Sequence, residues 1–285
     1  MATANRASAN PVLNDRTFER AAQESLDRAT MSAGGTYLIT AFLLVLLAIA
    51  AAFGWGQVEM ATVASPSGGA GQRVVPIAPD WVGLVALLAF IVALVAAFTP
   101  RAAMILGPLY ALGQGAVVGV ASRFYDAKYD GIVLQAVLAT LAVFLVMLVL
   151  YASRIVKVTP RFALMVVSAM GGLLVLYATL WLFALFGVNF AFLHGPTPIG
   201  IALSVGIVLL GALNLPLNFD FIERAAAAGA PRYLQWYGAY GLMLALIWLY
   251  VSILRLLALS RAPLALVPWR PDGAGVRRAL SRALL

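Results

Sequence analysis

The chain has 285 residues, 63% of them hydrophobic and 11% charged, with a mean hydropathy of +0.96. A soluble domain carries roughly 25% charged and 45–50% apolar residues, so a chain this apolar could not cover its own surface and belongs mostly in a bilayer. With no cysteine and a single histidine, His194, it excludes disulfides, thiolate metal centres, cysteine nucleophiles and any site that needs two imidazoles. The net charge of +8, with 17 of the 19 basic residues arginine, points to loops beside anionic headgroups, with no nucleic-acid partner implied.

Residues 1–33 form a polar lead of mixed charge. Phe18, Ala22, Leu26 and Ala29 recur at helical spacing within it. The lead is too long and too acidic for a signal-peptide start, so the apolar stretch behind it reads as an uncleaved first span. A helix needs roughly 20 apolar residues to cross the hydrocarbon. Seven segments qualify, near 35–56, 81–98, 103–122, 131–152, 161–187, 198–218 and 234–258. The fold class expected is therefore all-α: a polytopic seven-transmembrane-helix bundle over 34–258, its short connections making neighbours antiparallel. The 57–80 connection carries SPSGGAGQ and is expected to be a flexible loop. The basic tail, 259–285, ends in VRRALSRALL. Val276, Leu280 and Leu284 there oppose Arg277, Arg278 and Arg282, which fits either an interfacial helix or a solvated terminus.

Orientation follows from lysine and arginine. Counting those within about 20 residues of a span, a cytoplasmic N-terminus puts nine inside (Arg16, Arg20, Arg28, Arg101, Arg154, Lys157, Arg161, Arg224, Arg232) and three in outer loops (Arg73, Arg123, Lys128). The arginines of the tail oppose that count. Single cysteines at Ala9 and Ser67 test the orientation in a protein that has none of its own. An impermeant thiol reagent applied from outside is expected to label position 67 and spare position 9; the reverse pattern overturns the orientation.

Polar groups inside spans are informative because lipid penalises them. No span has an acid or a base near its middle. The set is neutral: Thr40, Gln114, Gln135, Thr140, Ser168, Thr179, Ser204, Asn214, Asn218 and Ser252. This argues against a mid-membrane carboxylate proton relay. A retinal Schiff base is excluded too, because Lys128 and Lys157 sit at helix ends. An intramembrane aspartyl protease would need facing membrane aspartates with GxGD, and a serine–histidine hydrolase would need His194 in the membrane. The chain offers neither, so it reads as no enzyme, with no cofactor or metal site.

The richest stretch is GALNLPLNFDFIERAAAAGAP, at the end of the sixth span. Asn214 and Asn218 share a helix face, and Pro216 between them leaves the Ala212 carbonyl without its usual donor. Two readings stay open. One is a broken helix that offers polar groups to a cation or water; the other is a kink whose asparagines bond neighbouring helices. Asp220 is spaced to pair with Arg224, or to serve as a cation ligand at the mouth. In the third span Gly115 and Gly119 form a GxxxG that permits close helix approach, and Gln114 beside them suits an interhelical hydrogen bond.

Several runs together resemble the Bax inhibitor family of seven-helix membrane proteins, in its bacterial branch with a polar N-terminal lead. They are NPVLN at 10–14, MSAGGTYLITAFLLVLLAIAAAFGW at 31–55, GPLYALGQGAVVGVAS at 107–122, DGIVLQAVLAT at 130–140, NFDFIERAAAAGAPRYLQWYGAYGL at 218–242 and LYVSILRLL at 249–257. The resemblance implies a central helix ringed by the others and a location in the bacterial plasma membrane. It also implies a slow cation leak, often for calcium, or a protease-modulating role. The family's pH-sensing carboxylate pair aligns by eye with Asn218 and Ser252, so both acids are replaced by groups that do not titrate. Gln114 stands where the family often has glutamate, and Ile39 where it often has lysine. On this reading Asn214, Asn218, Asp220, Ser252, Gln114 and Arg255 line or latch an ion path, while Gly115, Gly119 and Pro216 set helix packing. The partners implied are the lipid bilayer, calcium or other cations, and a membrane protease. A non-conducting interaction protein is the alternative.

Overall fold

A computed structural model describes residues 30–64, 72–186 and 195–262. It contains seven helices long and apolar enough to cross a membrane. They are α1 (Ala33–Gly56), α2 (Trp81–Phe98), α3 (Ala103–Lys128), α4 (Ile132–Ala152), α5 (Pro160–Leu185), α6 (Pro198–Ala227) and α7 (Tyr233–Arg261). The seven-helix expectation therefore holds, with two differences. Helices α3, α6 and α7 run past the expected ends at 122, 218 and 258, because their charged last turns continue the helix into the interface rather than ending it. The 57–80 connection is not a plain loop: β1 (Glu59–Ala64) and β2 (Gln72–Ile77) pair antiparallel with Glu59 opposite Ile77. Thr62, Val63, Val74, Val75 and Ile77 supply the β-branched content that favours strands on either side of the glycine-rich segment.

Local chemistry sets the helix starts. Ser32 Oγ accepts from the Gly35 N–H at 3.1 Å. Thr159 and Thr197 cap α5 and α6 in the same way, each followed by a proline at the first helical position. Before α4 the chain turns through Gly131 at φ 71°, a left-handed conformation that suits glycine, and Asp126 Oδ1 accepts the Gly131 N–H. Inside the bundle the hydroxyls of Thr36, Thr40, Ser122 and Thr140 donate to carbonyls four residues back, which hides them from lipid.

The core is organised on α7, which packs against α1, α3, α4 and α6. On one side Leu215, Phe219 and Ile222 of α6 and Ile132 and Ala136 of α4 meet Leu242, Leu246 and Leu249. On the other, Leu43 of α1, Ala89 of α2 and Tyr110 and Ala111 of α3 meet Tyr240 and Met243. Tyr240 carries its phenol across to the Ala93 carbonyl of α2. Helix α5 is peripheral: Val166 is its one buried residue, and it packs mainly against α6. Outward-facing Leu38, Phe42, Leu84, Phe90, Ile105, Leu138, Leu174 and Trp181 are all exposed, as expected when the solvent is hydrocarbon.

Candidate functional site

The expected site residues fall into three separate places rather than one. The first is the end of α6. This helix is continuous through Pro216, which is buried, so it is not the broken helix that one reading allowed. Asn218 does not bond a neighbouring helix either. Its amide donates to the Asn214 carbonyl at 2.9 Å, one turn back on α6. Its Oδ1 faces Gly241 of α7 so closely that a Cβ there would lie 3.3 Å away.

That contact fixes which residue of α7 the Asn218 side chain faces. Helices α6 and α7 form an antiparallel hairpin closed by a short turn at 228–232, which places Ile222 beside Gly238, Asn218 beside Gly241 and Gly211 beside Leu249. Ser252 is eleven residues beyond Gly241, about 16 Å along the axis at 1.5 Å per residue. Asn218 and Ser252 therefore do not meet. Ser252 is buried and donates to the Trp248 carbonyl of its own helix at 2.7 Å.

Just beyond Asn218 lies a charged cluster. Asp220 pairs with Arg224 at 2.5 Å, and Arg224 also donates to the Val158 carbonyl ahead of α5. Arg224 is largely solvent-exposed, so the pair adds little stability. Glu223 accepts a hydrogen bond from the Tyr151 hydroxyl of α4 at 2.9 Å, tying α4 to α6. Sequence reading gave Glu223 and Tyr151 no role; nothing in the pattern pairs residues 72 positions apart.

The second place is the α1–α3 contact. Beta carbons built on Gly115 and Gly119 would collide with backbone of α1, the first lying 2.5 Å from the Leu47 carbonyl oxygen and the second against Ala51. Gly54 of α1 returns the contact against the Ala116 carbonyl. Gln114 is half-buried beside this seam. The third place is Arg255, whose Nη1 donates to the Tyr177 hydroxyl of α5 at 2.9 Å.

A cavity of about 510 Å³ lies between α1, α3, α4 and α7. Leu44, Leu47, Ala51, Val118, Val137 and Ile247 line it, and its hydroxyls are already engaged: Thr140 bonds Ala136, and Ser122 bonds both Val118 and Tyr250. Such a wall receives apolar chains, and it offers few oxygens with which to replace a cation's water. At its rim Arg123 stacks over Trp55 and pairs with Asp126. Among the described residues no three His, Cys, Asp or Glu side chains gather as a metal would require. His194, residues 1–29 of the N-terminal lead and Arg270, Arg277, Arg278 and Arg282 of the tail lie outside the described residues.

No match was found among curated proteins or among solved structures. A family model described as Bax inhibitor 1 like matches residues 10–262. That span takes in all seven helices, the α6–α7 hairpin and the Gly115–Gly119 contact, and the chain belongs to the Bax inhibitor 1 like family.

Proposed function

We propose that this Bax-inhibitor-like membrane protein works as a non-conducting interaction protein that binds and modulates a membrane protease or another membrane protein. The observation that carries this reading is the α6–α7 seam. Leu215, Phe219, Ile222, Leu242 and Leu249 close it, each at most 1% exposed. The donors of Asn218 and Ser252 turn onto carbonyls of their own helices, and no acid lies between them in the seam. A cation crossing there would have to shed its water against leucine and phenylalanine, without oxygen ligands to replace it.

A slow cation leak, for calcium above all, is the second reading. It is favoured by the row Asn214, Asn218 and Asp220 that leads from the middle of α6 to its charged end, with Glu223 beside it. Conduction on this reading requires α6 and α7 to part. The expected setting for both readings is the bacterial plasma membrane with a cytoplasmic N-terminus, as the lysine and arginine asymmetry supports.

Purified protein in calcium-loaded vesicles separates the two. Efflux no faster than from empty vesicles, together with capture of a defined membrane partner by the tagged protein, is the expected result. Efflux clearly above empty vesicles overturns the first reading in favour of the second. Any such flux is expected to vary little with pH between about 6 and 8, the range in which a coupled carboxylate pair titrates, because Asn218 and Ser252 carry no proton to exchange.

A further inference from the structure

Among the described residues two buried side-chain polar atoms have no hydrogen-bond partner: Ser204 Oγ and Arg255 Nη2. They belong to adjacent helices and to one level of the bundle. Ser204 lies on the stripe of α6 that faces α7, with Ile207, Gly211 and Leu215, all of them buried. Gly211 abuts Leu249, and two turns further from the hairpin turn this register sets Ser204 level with residues 255 and 256. Ser204 is 2% exposed, and its hydroxyl does not fold back onto its own helix as those of Thr36, Thr140 and Ser252 do.

Arg255 is more unusual. Its guanidinium offers a planar fork of donors and no acceptor. It sits about 9 Å along α7 from Arg261. Arg261 marks the aqueous edge, where it donates to the Asp130 carbonyl and to Gln135 Oε1. The two ion pairs among the described residues, Arg123–Asp126 and Arg224–Asp220, are elsewhere, and the hydrogen bond from Arg255 to Tyr177 brings no counter-charge. A fixed cation in a low-dielectric seam is unfavourable without an anion. A forked guanidinium with a free hydroxyl at the same level of the adjoining helix is a donor set suited to planar or tetrahedral oxyanions.

We propose that Arg255 and Ser204, with Tyr177 orienting the guanidinium, form an oxyanion site at the Arg261 end of the α5–α6–α7 seam, of the chemistry that takes a phosphate group. A lipid headgroup and a free phosphate ion share that chemistry. The site is independent of whether the protein conducts cations.

Thermal melting of the full-length protein in neutral detergent tests it. One arm replaces sodium chloride by sodium phosphate at constant ionic strength. The other adds phosphatidylglycerol, against a phosphate-free glucosyl diacylglycerol as control. Wild type is expected to melt roughly 3 °C or more higher with a phosphate source, as ligand linkage requires. A response to phosphatidylglycerol alone assigns the site to a headgroup, and a response to both assigns it to any accessible phosphate. Arg255→Gln is expected to abolish the response and, without phosphate, to melt no lower than wild type, since the unpaired charge has gone. Ser204→Ala is expected to halve the response with an unchanged baseline. No response in wild type, or the same response in Arg255→Gln, overturns the proposal. Should Arg255→Gln fail to fold, Arg255→Lys and Ser204→Ala decide, and an undiminished response in both overturns it.

Discussion

Gly119→Leu is expected to lower the melting temperature in detergent by roughly 5–10 °C and to reduce the yield of folded protein. In lipid no hydrophobic force draws helices together, so close backbone packing carries much of the association. Here it is reciprocal: Gly115 and Gly119 of α3 admit the backbone of α1 at Leu47 and Ala51, while Gly54 of α1 admits α3 at Ala116. The obstacle to a side chain is main chain on both sides, and main chain has no rotamer to yield. Overpacking against side chains costs about 1–3 kcal/mol. Displacing a helix backbone belongs at or above the upper end of that range, and in a chain of this size each kcal/mol moves the midpoint by roughly 2–4 °C. Gly119→Ala, whose added Cβ already meets Ala51, is expected to show most of the loss, so the effect is not one of leucine bulk. Gly172→Leu on α5 is the control, because nothing lies within 4 Å of a Cβ there. Melting curves of the four proteins side by side decide the matter, and a Gly119→Leu curve overlying wild type would mean that α1 and α3 do not touch at this seam.

The same seam shows how far the sequence could be read. GxxxG announces that backbones can approach, and it does not say which helix answers. Gly54, the answering residue, stands in an apolar run whose composition does not distinguish it from a lipid-facing glycine such as Gly83 or Gly172. The spans themselves were legible because each needs only length and apolarity. Helix α2 falls on its expected limits since Asp80 precedes it and Thr99-Pro100 follows it. Helices α3 and α6 were read short for one reason: Arg123, Asp126 and Lys128, like Asp220, Glu223 and Arg224, look like the water's edge, yet a helix keeps its hydrogen bonds while it crosses into water.

The candidate site was legible as a set of residue types and not as a geometry. Asn218 was read as one half of a pair because the family resemblance implies acids at its position and at that of Ser252. Which residue of α7 faces Asn218 is set by the length of the turn at 228–232, where Gly229 takes a positive φ of 66°. A turn this tight counts residues equally up both helices, so Asn218 meets Gly241 and Ser252 is carried far past it. The Tyr151–Glu223 and Tyr177–Arg255 bonds were invisible for a related reason. Each joins helices that are distant in sequence, and no local periodicity encodes the meeting.

Introducing Asn218→Asp together with Gly241→Asp is expected to give the protein a pH-dependent stability that wild type lacks at these positions. The Cβ of residue 241 would lie 3.3 Å from the side-chain oxygen of residue 218, so two carboxyls there share one site. Two like charges at that distance in a seam walled by Phe219, Ile222 and Leu242 cannot both ionise cheaply, and one proton is retained to well above the ordinary carboxylate range. The sign follows from linkage. A group whose folded-state pKa is raised binds more protons folded than unfolded, so its contribution is full at low pH and is lost as pH rises through the raised value. A rise of two units corresponds to about 2.7 kcal/mol, or roughly 5–10 °C of melting temperature between about pH 5 and pH 8. Each single aspartate, raised by burial alone, is expected to show a shallower slope, and the excess of the double over the two singles measures the coupling. The baseline also falls, since Gly241→Asp adds atoms to a tight contact, and for that reason the slope rather than the midpoint is the readout. Asn218→Asp with Ser252→Asp is the decisive comparison. With about 16 Å between them along α7 the two acids are expected to titrate independently, with no excess slope over their singles. Excess in that pair, and none in the pair at 218 and 241, would mean that the two helices meet in a register shifted by three turns.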